Sequence, residues 1–522
     1  MHSPRWLFIV TGTFFLGIAV LPVCLMFLES FQTANGFTLA NYASLLTSSR
    51  QQELLWNSLV LALATASFAT LLGAPLGFFL AKLRLPSRHR WRLLLVTPLL
   101  VPPYILGIAW IFAGGQLAEG FARWTFSLPG AVAMLSLSCF PIPMLVAEAA
   151  LSRVPARLEE AAWLAAGWRR TLFSITLPLV LPSLASGFLL VFILSLGDFS
   201  VPSLLRVRVF ATEVYTQFAA FFNFGAATAA TAPLLLLILV LSISVRLLIG
   251  EKWITTRRSP GASALLLSEA WTMAGMGLFS VMILLSSVLP LLCLAMKVRH
   301  VETLIRSAWS TRDSIAASLV LSAAVSLLSV AMGLLLGYWR ARTKARLKAL
   351  ADVLWILLFT LPGTVLGIGL VRLWNQPLTN PLYGTWVTLL LGLLARFVPI
   401  AALLLAAGVR QMPASLEEAA LVHGSSWWRS FIGILVPSMK RSLLAVGLLV
   451  FLLAFGELAI TILLIPVGTS TLPLQTFTTI TNSPDEVMAA LCLLQVLVIL
   501  ITLFVIGRSV TKSRPQMDKL PA

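Results

Sequence analysis

The sequence predicts an all-α polytopic membrane protein, with about 12 transmembrane helices in two homologous six-helix halves. Three observations lead there. Of 522 residues, 59% are hydrophobic and only 11% charged, and the mean hydropathy is +0.96. A soluble domain carries about 25% charged residues, so the solvent for most of this chain is lipid. Apolar stretches long enough to cross a bilayer recur along its whole length, and the second half of the chain repeats the first.

The spans fall near 6–28, 55–81, 93–113, 129–151, 179–204, 226–249, 267–296, 314–339, 350–373, 386–409, 442–466 and 487–507. Each covers roughly the 20 residues that a helix needs to cross the hydrocarbon core. Pro102 and Pro103 interrupt the third, and Pro141 and Pro143 the fourth. Such breakers are tolerated where neighbouring helices satisfy the freed backbone groups, which argues for packing in a bundle. The first stretch is read as an uncleaved span, because Val23 before Cys24 is too large for a lipoprotein cleavage site.

Charge sets the orientation. The net charge of +18 is spread in short clusters between the apolar runs, which excludes a nucleic-acid surface. Of the 37 lysines and arginines, 27 fall on the side of the two termini and 8 on the other. The positive-inside rule then places both termini in the cytoplasm. Cys24, Cys139, Cys293 and Cys492 stand singly in apolar segments, and the four histidines are dispersed in loops. Neither a metal site nor a disulfide framework is indicated.

The repeat has an offset of 256 to 260 residues. Gly77 is matched with Gly333, Leu106-Gly107-Ile108 with Leu366-Gly367-Ile368, and Gly197-Asp198 with Gly456-Glu457. Six spans per half make this a parallel repeat, with both halves entering from the same side. The expected domains are 1–250 and 267–522, joined by a cytoplasmic linker at 251–266, with a substrate path between the halves.

The longest cytoplasmic loops follow spans 4 and 10. The first carries Glu159-Glu160-Ala161-Ala162, then Ala165 and Gly167, and ends at Pro178. The second carries Glu417-Glu418-Ala419-Ala420, then Gly424, and ends at Pro437. Glutamate and alanine favour helix and glycine stops it, so each loop is a short helix, a turn and a second helix leading back to the membrane. A small-residue face of this kind suits insertion into a groove on another protein. Ser415 and Glu418 fit a capping box in the second loop, with no equivalent serine in the first.

This pattern resembles the EAA loop of ABC importer permeases, the inner-membrane components of binding-protein-dependent transport systems. The fused two-half layout resembles the ferric-iron and thiamine uptake permeases of bacteria. The resemblance implies that Glu159, Glu160, Ala161, Ala162, Ala165, Gly167, Glu417, Glu418, Ala419, Ala420 and Gly424 dock two copies of an ABC ATPase. It also implies an extracytoplasmic substrate-binding protein and a location in the bacterial inner membrane. The second loop keeps the family spacing. In the first, Gly167 lies seven residues after Glu160, and counting back from Pro178 puts Ala165 at the glycine position.

Asp198 and Glu457 sit at membrane depth in equivalent places. A carboxylate there is disfavoured by roughly 2.5 kcal/mol or more on insertion scales. The functional expectation is a negative staging site for a cationic substrate, and the structural alternative is capping of a broken helix or pairing with Arg396 or Arg372. Glu148 and Asp352 are read as near-interface residues. No phosphate-loop motif is present, so no cofactor belongs to this chain and ATP would be bound by a partner. The expected function is an importer permease, with ferric iron as the leading substrate and thiamine, polyamine or phosphonate next. A proton-coupled secondary transporter using Asp198 and Glu457 is the alternative of another class.

Overall fold

The computed structural model describes residues 5–33, 36–83, 85–117, 119–221, 224–249, 269–343, 348–480 and 482–512. The expected linker at 251–266 lies outside the described residues, as do Arg84, Lys344, Arg346, Arg514 and Lys519 of the charge count. Among the described residues the regular structure is helical, apart from a two-residue antiparallel ladder of Gln32–Thr33 with Gly36–Phe37.

Each of the twelve predicted stretches holds helix. Among the described residues seven helices are long and apolar enough to cross a bilayer, and four pairs joined at a bend raise the number to as many as eleven. The remaining stretch is helix Phe224–Ile249.

Prolines place the sharpest bends. Arg88–Leu100 and Pro103–Gly115 meet at 89°, and Lys348–Thr360 and Gly363–Trp374 at 97°. Val101 is extended, as a residue before proline prefers, and Pro102 follows it. The third span is therefore two helices at nearly a right angle rather than one rod with a tolerated proline. Pro362 marks the matching turn in the ninth. Pro141 bends its span by only 41°, because Phe140 stays helical and Pro141 takes the first turn of the next helix.

The chain forms two compact units. The first comprises Ser30–Arg299 with Thr360–Pro362; the second comprises Met1–Glu29, His300–Phe359 and Gly363–Ala522. Each unit takes its lead helix from the other half of the sequence. In the first, Glu269–Ile283 packs on Ser49–Lys82 and Arg88–Leu100. In the second, Arg5–Ala19 packs on Arg312–Arg342 and Trp386–Gln411. The division at 250 and 267 thus follows the sequence repeat, while the compact units are cut elsewhere.

The central helix pair of each unit meets through glycines. A Cβ on Gly73 would lie 2.4 Å from the Phe140 carbonyl oxygen, and one on Gly77 would lie 2.4 Å from that of Met144. In the second unit, a Cβ on Gly333 or Gly337 would come within 2.8 Å of Ala401 or of the Ala402 carbonyl oxygen. These are small-xxx-small seams, which let helix backbones approach closely in lipid. They also fix the repeat: Gly73 answers Gly333 and Gly77 answers Gly337, one helical turn away from the Gly77–Gly333 match made on sequence. Gly337→Leu should lower the thermal unfolding midpoint of the purified protein and its yield from membranes, as overpacking by roughly 1–3 kcal/mol or more requires. Gly277→Leu, with nothing within 4 Å of a Cβ, should leave both unchanged.

Candidate functional site

Both duplicated loops begin at a proline. Pro155 and Pro413 are the N-terminal flanking residues of helices Ala156–Thr171 and Ala414–Val422. The Pro155 carbonyl accepts the Leu158 N–H at 3.1 Å, and the Pro413 carbonyl accepts the Leu416 N–H at 3.4 Å. No side chain caps either start. The expected Ser415–Glu418 capping box is therefore not formed, because the helix begins two residues too early for Ser415 to be its cap. The shared proline explains why the first loop folds the same way without a serine.

The two glutamates of each pair do different things. Glu159 is 1% exposed and forms an ion pair with Lys82, itself fully buried at the end of helix Ser49–Lys82. Its other oxygen accepts the Thr176 hydroxyl at 2.9 Å. Glu417 is buried likewise and takes the Arg342 guanidinium, with Nε at 3.0 Å, while the Tyr338 hydroxyl donates to its second oxygen at 2.8 Å. Lys82 and Arg342 are 260 residues apart, in the register of the glycine seams. The first glutamate of each loop thus clasps the loop to the end of a spanning helix.

Glu160 and Glu418 are exposed, as are Ala161, Ala165 and Ala419, while Ala162 and Ala420 are half-buried. Beside them stands a residue that sequence reasoning passed over. Leu164 is 92% exposed, and Val422, its counterpart 258 residues on, is 84% exposed. Each follows its exposed glutamate by four residues, so both lie on one helix face. The pattern was available in the sequence, since an apolar residue at the same solvent-facing place in two loop copies is a repeat signal.

The turns settle which residue of the first loop plays the glycine part. Gly167 has φ +75° and Gly424 has φ +79°, a left-handed conformation that other residues adopt at a cost. Gly167, not Ala165, is the counterpart of Gly424. The first helix runs longer in the first loop, and the second helix follows Gly167 directly. In the second loop Ser425 and Ser426 intervene, and the Ser426 hydroxyl accepts the Arg429 N–H. Both loops then enter the membrane helix through one turn of π-helix, Leu172–Thr176 and Phe431–Leu435.

The membrane carboxylates cap broken helices. Asp198 accepts the Val201 N–H at 2.9 Å, at the start of the short helix Ser200–Leu204. Glu457 accepts the N–H groups of Ile460 at 2.9 Å and Thr461 at 3.1 Å, at the start of Thr461–Leu464. Arg396 approaches Glu457 at 3.4 Å. A Cβ on Gly363 would fall 2.1 Å from the Arg396 guanidinium, so the start of helix Gly363–Trp374 lies against this pair. The position matching Arg396 in the first unit is Ser138. Glu148 pairs with Arg88 at 2.9 Å, and Asp352 pairs with Arg340.

A helical membrane chain of two units, each with a clasped loop and a capped helix break, is the architecture of a transport permease. The chain belongs to the family of binding-protein-dependent transport system inner membrane components, which matches residues 73–250 and 329–514. It is similar to the Fe(3+)-transport system permease protein FbpB 2 of Haemophilus influenzae, with 26% identity covering 89% of this chain and 90% of the relative. It is also similar to the ferric transport system permease protein FbpB of Actinobacillus pleuropneumoniae, with 24% identity over 86% of this chain and 70% of that one. The molybdenum transport system permease protein ModB of Escherichia coli is 35% identical over 157 residues, 28% of this chain and 69% of the relative.

The clasp yields a direct test. Glu159→Ala, which leaves Lys82 buried and unpaired, should destabilise the protein by about 3–5 kcal/mol, whereas Lys82→Met with Glu159→Met should be nearly neutral. Thermal unfolding of the purified variants checks both. Equal losses for the single and double replacements would mean that the pair does not hold the loop.

Proposed function

We propose that this chain is the membrane-spanning subunit of an ATP-driven importer, and that it carries ferric iron delivered by an extracytoplasmic binding protein. One observation carries the ATPase part: the same outward face, an exposed glutamate followed four residues later by an exposed Leu164 or Val422, occurs at the same place in both units. A solvated apolar side chain beside a charge suits docking into a groove on a partner. Two ATPase copies would then sit on 152–178 and 410–437 and supply the ATP hydrolysis. The 27-to-8 distribution of basic residues supports a cytoplasmic position for the loops and for both termini.

The ferric reading rests on the relatives that cover most of the chain, since the molybdenum permease matches a smaller share. Glu160→Lys combined with Glu418→Lys should abolish iron uptake in whole cells, while the amount of protein in the membrane stays normal. Uptake retained by that variant would exclude docking here. Molybdate uptake in place of iron would overturn the substrate.

Asp198 and Glu457 enter this reading as residues that shape the substrate path. Irregular backbone at membrane depth is tolerated where it is buried in protein or lines a cavity, and a carboxylate on the freed amides holds such a break open. Asp198→Asn, whose side-chain oxygen can still accept the Val201 N–H, should keep most uptake, and Asp198→Leu should lose about fivefold or more, as removal of a buried hydrogen-bond acceptor of roughly 1–3 kcal/mol implies. Equal loss in both variants would instead assign the charge a direct role with the cation.

A further inference from the structure

The two loops differ underneath. In the second unit Phe8 stacks on Tyr338 at 6.1 Å, and Trp427 stacks on Phe431 at 4.7 Å. Tyr338 meets Phe431 edge-on at 5.5 Å, which closes the cluster. In the first unit Trp271 takes the place of Phe8, at 6.5 Å from Phe79 and 6.2 Å from Trp168. The residue matching Phe431, 259 positions earlier, is Leu172. The smaller side chain leaves a cavity of about 260 Å³ beneath the loop, walled by Phe78, Phe79, Trp163, Trp168, Leu172 and Trp271.

Glu159 borders this cavity, but its carboxylate is taken by Lys82 and Thr176, so the remaining wall offers a ligand aromatic and aliphatic surface. A second exchange accompanies the first. Trp428 of the second loop is matched by Arg169, which is exposed and lies over the Trp168 ring at 5.6 Å. Arg170 follows it and is also exposed. Arg429 matches Arg170 in the second loop, so the copy that opens a cavity is the copy with one further cation, Arg169, over a ring that walls it.

We propose that this cavity holds an acyl chain of an anionic phospholipid whose phosphate rests on Arg169 and Arg170. The volume is too small for a compact drug-sized molecule, but it suits part of a narrow chain. An apolar pocket with paired basic residues at the membrane surface is the chemistry that recognises such a lipid. The proposal requires only that the chain spans a bilayer, and it stands whether or not the loop docks an ATPase.

Native mass spectrometry of the full chain in mild detergent, titrated with phosphatidylglycerol or phosphatidylcholine, tests it. The wild type should retain one phosphatidylglycerol most tightly. Leu172→Phe, which copies the second unit, should abolish that first site for either headgroup. Arg169→Gln with Arg170→Gln, a surface change that leaves the core intact, should keep a site but lose its preference for the anionic lipid by roughly tenfold or more, as two basic residues imply. Unchanged binding in the arginine variant, or in Leu172→Phe with a normal unfolding midpoint, overturns the proposal. Unchanged lipid binding with reduced retention of an ATPase subunit by Leu172→Phe also overturns it, by giving the cavity to a protein side chain.

Discussion

A buried carboxylate–cation pair at the foot of each duplicated loop determines much of what the rest of the loop can do. Lys82 with Glu159, and Arg342 with Glu417, join a loop helix to the end of a long membrane helix. Removing two charges from water is expensive, and the mutual attraction repays it only with good geometry and further hydrogen bonds. Thr176 supplies the extra bond in one unit and Tyr338 in the other. A loop held this way cannot rotate about its own axis without stranding a charge. The next glutamate and the Leu164 or Val422 face are consequently fixed outward, and a push on that face is passed to the spanning helix.

The same helix is fixed at its other contacts by glycine. Gly73 and Gly77, like Gly333 and Gly337, bring backbones to distances that no side chain would allow. Clasp and seam lie on one helix in each unit, so the loop, the seam and the capped break further along Leu177–Leu196 or Lys440–Phe455 belong to one mechanically continuous set of elements. This continuity is the physical basis for linking an event at the loop to the break at Asp198 or Glu457.

Much of this is written in the sequence at the level of element type. Hydropathy located helix at each of the twelve stretches, of which as many as eleven are long and apolar enough to cross a bilayer, because a bilayer demands long apolar runs. The duplicated Glu-Glu-Ala-Ala run located the loops. The division of labour within each pair was not legible: Glu159 and Glu160 are chemically identical, and only the distant Lys82 distinguishes them. In the sequence Lys82 and Arg342 are two of the 27 basic residues that set orientation, since a cation at a span end usually meets water. The bend at Pro362 was missed, although Pro102 gave the precedent. Gly167 was displaced by spacing alone, and its positive φ restores it. The exchange of lead helices between units leaves no local trace, because an apolar span reads the same whichever unit it packs in.

The two copies are alike in scaffold and unlike in detail. A longer first helix, a shorter turn, Leu172 for Phe431 and Arg169 for Trp428 all fall in the first loop, whereas clasp, seam and exposed face are kept in both. The central claim is that position 159 is structural and position 160 is the contact surface. Single cysteines at 159, 160, 417 and 418, placed in a chain with Cys24, Cys139, Cys293 and Cys492 replaced, can be reacted with a membrane-impermeant maleimide in inside-out vesicles. The account predicts rapid labelling at 160 and 418 that is suppressed by bound ATPase, and slow labelling at 159 and 417 with or without it. Labelling at 160 and 418 that the ATPase leaves unchanged, or that occurs only from the opposite side of the membrane, would contradict it.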